Sequence, residues 1–142
     1  MSALIEIDTQ DGVQVIRMNR PEKKNALTGE MYAAMADAIS GADDNPDVRA
    51  VVITGSADAF TAGNDLNDFL NNPPRGDDSP VWRFIYGMAA TTTPVIAAVN
   101  GVAVGIGTTM LLHCDFAYAA PQARFHMPFI NLALVPENAS SL

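Results

Sequence analysis

Two apolar runs constrain this chain more than any other feature: "VRAVVITG" (48–55) and "PVIAAVNG" (94–101), each closed by turn residues. A strand with no polar face has nothing to offer solvent, so each run is expected to be covered on both sides, as in a parallel sheet flanked by helices. Helical patterns surround them. Thr28 is placed as an N-cap, and Met31, Met35 and Ile39 recur every four residues, until "GADDNPD" (41–47) is expected to stop that helix. "VWRFIYGMAATTT" (81–93) is a second helical passage, ended by Pro94. Buried strands alternating with helices argue for an α/β layered architecture.

The remaining elements are shorter. "ALIEID" and "VQVIRMN" flank Asp11-Gly12, a strong hairpin turn, and "NDLNDFL" (64–70) forms a short helix. Residues 71–80 are a loop. "TTMLLHCD" (108–115) is expected to be helical, "FAYAA" and "ARFHM" to be strands, and "PENASSL" (136–142) to open a helix at Pro136. A helix that stops after one turn has not yet buried a face, so the 142 residues are read as one domain cut short at its C-terminus.

Charge and cysteine content narrow the partners. Eight Lys and Arg against sixteen Asp and Glu leave a formal charge of −8, a balance that repels phosphate backbones and anionic lipid. Nucleic acid and membranes are therefore not expected as partners. No run approaches the ~18 apolar residues of a membrane span. One cysteine, Cys114, makes no internal disulfide, and the N-terminus shows no leader pattern, so a cytoplasmic setting is expected.

Two glycine turns carry the chemistry. "FTAGNDL" (60–66) follows the first apolar run, and "VAVGIGTTM" (102–110) follows the second. One reading of either pair is a tight turn in a packed fold. Alternatively each exposes a peptide N–H, at the second turn aided by a helix start, and two such donors aimed at one point make an oxyanion hole. A dinucleotide fingerprint fails because Met110 stands where its third glycine belongs, and no Gly-Lys-Ser/Thr run exists for a phosphate loop. From Ser79 onward the only carboxylates are Asp115 and Glu137. Asp115 reads as a cap or strand start. Glu137 is either a first-turn glutamate favoured by a helix or a base strengthened by apolar surroundings. His113 and His126 share no metal-ligand spacing and read as core histidines, and Thr108 and Thr109 have no local base.

With "VIRMNRPEKKNALT", "FTAGNDL", "AVNGVAVGIGTTM", "HCDFAYAA" and "FHMPFINLALVPENASS" in order, the chain resembles the enoyl-CoA hydratase/isomerase (crotonase) family. The resemblance implies a spiral of ββα units, here lacking the C-terminal helical part, and homotrimers or hexamers. It implies an acyl-CoA substrate and no separate cofactor, because coenzyme A belongs to the thioester. Its oxyanion donors map onto the backbone N–H groups of Asn64 and Ile106. Lys24, Asn25, Ala26, Ala62, Gly63, Asp65, Leu66 and Gly105 map onto the stretches that hold coenzyme A and the thioester, and Arg20, Lys23 and Lys24 are cations for its phosphates.

The family's hydratases use two glutamates, and at those positions this chain has Thr109 and Phe129. Glu137 in "LVPENASS" instead resembles the single glutamate of the Δ3,Δ2-enoyl-CoA isomerases, with Phe129 and Met127 lining an acyl pocket. The expected activity is therefore isomerisation in fatty-acid metabolism. The rivals are an enoyl-CoA hydratase of β-oxidation, a thioester hydrolase of the same fold, and a non-catalytic acyl-CoA-binding subunit. The final "SSL" lacks the basic residue of a peroxisomal address.

Overall fold

A computed structural model describes residues 4–141. Ala3, where the first strand was expected to start, and Leu142, the end of the expected last helix, lie outside the described residues. The chain opens with strands β1 (Ile5–Gln10) and β2 (Val13–Met18), paired antiparallel. Their turn is Asp11-Gly12, with both φ values positive at 53° and 82°, the left-handed pair whose twist suits a hairpin. Helix α1 (Gly29–Asp44) follows, and Thr28 Oγ1 accepts from Met31 N at 3.3 Å as its N-cap. The helix runs through Gly41–Asp44, the segment expected to stop it. Ala42 is 1% exposed there, so the last turn still packs on the core.

Next come β3 (Ala50–Thr54), β4 (Ala59–Thr61), α2 (Leu66–Asn71) and α3 (Pro80–Ala90). They are followed by β5 (Val95–Val99), β6 (Val102–Val104), α4 (Ile106–Thr109), β7 (Phe116–Ala119) and β8 (Arg124–His126). The large sheet has the order β1-β2-β3-β5-β7, parallel from β2 onward, and a small parallel sheet has the order β4-β6-β8. After the opening hairpin, which lies wholly in the large sheet, each unit sends one strand to the large sheet and the next to the small one, which is the expected α/β spiral of ββα units. Among the described residues no helix is long and apolar enough to cross a membrane.

The core lies on one face of the large sheet. Ile16, Ile53 and Ala97 stand in register across β2, β3 and β5 and are fully buried. Met31, Met35 and Ile39 of α1 and Phe84 and Met88 of α3 cover them. The opposite face is only half covered. Val52, Ile96 and Ala98 are partly exposed, and on β7 Phe116 and Tyr118 are 60% and 67% exposed. This corrects the expectation of strands covered on both sides: among the described residues no helix lies over that face.

Three further expectations change. "TTMLLHCD" is not one helix, because α4 starts at Ile106 inside the glycine turn and tightens into a 3-10 segment, Met110–His113. "PENASSL" is a turn rather than a helix start: Ser140 N donates to Glu137 O at 3.1 Å, and Asn138 and Ala139 have φ values of 55° and 58°. His126 is exposed on β8 and His113 is half-buried, so neither is a core histidine. Asp115 is structural, its Oδ2 accepting from Val95 N at 2.8 Å, which ties β5 to the start of β7.

Strands β4 and β6 went unnoticed in the sequence because three residues show no periodicity. Glycines let the chain step between sheets. A Cβ on Gly55 would lie 2.1 Å from Ala59 O, and one on Gly101 would lie 2.0 Å from Asp58 O. Both neighbours are backbone and cannot swing away. Gly101→Ala is expected to destabilise the fold by about 2 kcal/mol or more through overpacking, read as a lower urea midpoint; an unchanged midpoint would show that the crossover has slack.

Candidate active site

The small sheet gathers the site. Because β4 and β6 pair in parallel, with Ala59 opposite Val102 and Thr61 opposite Ala103, their C-terminal ends emerge side by side. Each then enters one of the glycine turns. Gly63 has φ 92° and Gly105 has φ 58°, a region glycine enters without steric cost. A Cβ on Gly107 would meet Thr61 Cγ2 at 2.7 Å and Thr61 O at 3.0 Å, so the two turns touch at a point with no room for a side chain.

The amides around these turns are mostly committed. Ala62 N donates to Lys24 O, Leu27 N to Gly63 O, Asp65 N to Leu27 O and Gly105 N to His126 O, all at 2.8–2.9 Å. Gly63 N donates to Thr61 Oγ1 at 3.1 Å. Among the described residues, the N–H groups of Asn64 and Ile106 have no protein acceptor. Unpaired main-chain donors are uncommon in a folded chain unless they face solvent or a ligand. α4 is four residues long, so its dipole adds little to the Ile106 N–H, contrary to the helix-start argument.

Asn64 and Ile106 both line a cavity of about 590 Å³. Ala26, Ala62, Gly63, Asp65, Leu66, Gly105, Phe129 and Glu137 line it too, whereas Lys24, Asn25, Arg20 and Met127, also expected at the site, do not. Lys24 points away: its Nζ sits 2.7 and 2.9 Å from the Asp58 carboxylate. Lys23 is the basic residue on the wall. Arg20 is also spoken for, donating to Asp65 Oδ2 at 2.7 Å and to Ala26 O at 3.1 Å. Met127 is 45% exposed and outside the lining, whereas Phe69, Leu132 and Leu134 join Phe129 and Leu66 in its apolar part.

The two carboxylates on the wall are held in opposite states. Asp65 caps α2, its Oδ1 accepting from Asp68 N at 2.9 Å. That bond first, and then Arg20, holds its pKa below the usual carboxylate range, so it stays ionised and paired. Glu137 sits on the rim; the residue is exposed, yet its carboxyl is partly enclosed, and burial raises its pKa. A carboxylate pushed upward with no cation beside it is the better proton acceptor.

Two residues of the site were not singled out from the sequence, and a third, Asn25, was expected beside coenzyme A rather than in the role it has. Tyr32, fully buried on α1, donates its hydroxyl to Asn64 Oδ1. Burial, and then the nearby Glu137 charge, raises the pKa of this tyrosine, keeping the donor protonated. Asn138 is nine-tenths buried and donates to Thr109 Oγ1 at 3.2 Å. Asn25, at φ 56°, is the hub of the 20–26 loop: its Oδ1 accepts from Arg20 N and Ser56 Oγ, and its Nδ2 donates to Ser56 O and Ala59 O. A single polar residue inside a charged loop gives no sequence signal for such a role, although a left-handed asparagine is a familiar turn element.

Residues 8–141 match the enoyl-CoA hydratase/isomerase family. The chain belongs to that family. Human enoyl-CoA delta isomerase 2 is 37% identical over 142 residues, which cover 95% of this chain and 36% of that protein. The solved structure of Pseudomonas aeruginosa OdaA is 52% identical with a TM-score of 0.96, matched over 99% of this chain and 57% of its own. The enoyl-CoA hydratase EchA8_6 of Mycobacterium marinum is 37% identical with a TM-score of 0.88, matched over 98% of this chain and 66% of its own. These similarities confirm the crotonase fold. The chain spans between about a third and two thirds of the length of these relatives. An isomerase and a hydratase stand at equal identity, so relatedness separates neither chemistry.

Replacing Asn25 with Ala strands buried partners on three segments. The expected cost is about 2 kcal/mol or more, measured by denaturant unfolding. A variant as stable as the parent would show that the loop holds itself.

Proposed function

We propose that the protein binds an acyl-CoA thioester and moves its double bond from C3=C4 to C2=C3, as a Δ3,Δ2-enoyl-CoA isomerase. The observation that carries this reading is one partly enclosed carboxylate, Glu137, on the same apolar cavity as Asn64 and Ile106, whose N–H groups have no acceptor among the described residues. In the proposed step Glu137 takes a proton from C2, and the electron pair spreads over a dienolate whose oxygen lies between Asn64 N–H and Ile106 N–H. The protonated Glu137 then returns the proton to C4, leaving a conjugated thioester and an ionised base. No atom is gained or lost, so one carboxyl suffices.

Hydration asks for more. Water must be oriented as a nucleophile while a proton is delivered, and the positions that carry this work in the family's hydratases hold Thr109 and Phe129 here. The apolar wall of Leu66, Phe69, Phe129, Leu132 and Leu134 suits an acyl chain and desolvates the base. Lys23 is the cation for the coenzyme A phosphates, since Arg20 and Lys24 are held by Asp65 and Asp58. Coenzyme A enters as part of the substrate, with no further cofactor. By resemblance to the family we also infer a trimer or hexamer in the cytoplasm.

The test is conversion of a 3-enoyl-CoA, followed by the absorbance of the conjugated product. Glu137→Gln is expected to lower kcat by about 10²- to 10⁴-fold, the usual contribution of a positioned proton-transfer group. Unchanged turnover would remove Glu137 as the base, and a 3-hydroxyacyl product from a 2-enoyl-CoA would favour hydration. The base must be ionised to act. For the parent protein, kcat should therefore be full above the raised pKa of Glu137 and fall as pH drops through it, at a pH above the ordinary 4.5 of a glutamate. An acid limb at or below that value would contradict a desolvated base.

A further inference from the structure

Glu137 stands in a segment with little regular structure of its own. From Ala133 to Ser141 the described chain forms only turns and irregular backbone. The turn Glu137–Ser140 closes on one backbone hydrogen bond, with left-handed residues at both central positions. By itself such a turn would let the carboxylate wander by more than an ångström. Two contacts hold it. Asn138 Nδ2 donates to the hydroxyl of Thr109, itself fully buried, and His113 Nε2 donates to Asn138 O at 3.1 Å. Thr109 ends α4 and His113 ends the 3-10 segment that continues it. The helix that starts with Ile106 and its free N–H therefore also carries both anchors of the turn bearing Glu137.

We propose that Thr109 and Asn138 form a positioning clamp that fixes the Glu137 carboxylate relative to the Ile106 N–H. The proposal rests on the isomerase reading of Glu137. It gives Thr109 a task of its own: at the position where the family's hydratases carry a glutamate, this chain has the acceptor that locks the turn of the remaining base. Asn138 suits the other half of the task because asparagine tolerates φ near 55° while projecting an amide inward.

The experiment compares the parent with Thr109→Val, Thr109→Ser and Asn138→Gly in 3-enoyl-CoA turnover. Valine keeps the shape of threonine and removes the acceptor; glycine accepts the left-handed backbone and removes the amide. Each is expected to lower kcat by about 10- to 100-fold, the scale of a misplacement of about 1 Å, with KM within about twofold. Thr109→Ser should restore the rate. Together, the two disruptive substitutions should cost no more than the worse one alone, because they break the same contact. Parent-like kcat in folded Thr109→Val and Asn138→Gly would overturn the clamp. So would an effect confined to KM, or a serine variant as slow as valine. If Thr109→Val does not fold, Asn138→Gly and Thr109→Ser decide. An independent arm follows exchange of the Ser140 amide by NMR, expected to quicken in both disruptive variants; unchanged exchange would also overturn the clamp. A parent chain that leaves 3-enoyl-CoA unconverted sinks the isomerase reading instead, and the Ser140 amide still reports whether the contact holds the turn.

Discussion

The approach of two backbones where Gly107 meets Thr61 decides what this chain can do. The parallel pairing of β4 with β6 sets the two glycine turns side by side, and the missing Cβ lets them touch. Their register follows from the crossovers between sheets. Gly55 and Gly101 admit no side chain where the chain leaves β3 and β5, and Asn100 braces the same place, its Oδ1 accepting from Gly55 N and its Nδ2 donating to Ala59 O. Asn25 donates to that same carbonyl from the other side. The loop beside the cavity, the first turn and the second turn are thereby joined through a few buried amides. Main-chain donors placed this way need no reorganisation when charge develops on a ligand, which is where preorganised dipoles act best.

Electrostatics inside the cavity are sorted by local partners rather than by the net charge of −8. Asp65 is neutralised by Arg20 and by the first amides of α2, so it contributes order and little basicity. Glu137 has no such partner among the described residues and stands on the rim of the apolar cavity. The Tyr32 hydroxyl, locked onto Asn64, connects the two halves of the site: it orients the residue carrying one free N–H and lies close enough to feel the Glu137 charge. One carboxylate is thus committed to structure, and the other has no ion-pair partner among the described residues.

Much of this was legible before any coordinates. The hairpin at Asp11-Gly12, the Thr28 cap and the methionine face of α1 follow from local rules, and each is found in place. The family resemblance, not periodicity, pointed to Asn64 and Ile106, since backbone donors leave no trace in side-chain chemistry, whereas Glu137 already stood out as one of two carboxylates after Ser79. Strands β4 and β6 escaped notice because pairing with each other, and not any pattern within three residues, makes them strands. The last segment was misjudged for a related reason. Pro136 suggests a helix start, but the buried Asn138 amide offers the turn a better anchor on Thr109 than a first helical turn would find. The resemblance places Lys24 at the site, and only the fold shows Asp58 drawing it away.

The central claim is that the Asn64 and Ile106 N–H groups converge on one thioester oxygen. Infrared difference spectroscopy of a saturated acyl-CoA, ¹³C-labelled at the thioester carbonyl and bound to the protein, tests this without turnover. The account predicts a carbonyl stretch at lower frequency than for the same thioester in water, as two fixed donors polarise the bond. A bound carbonyl at its aqueous frequency would contradict it.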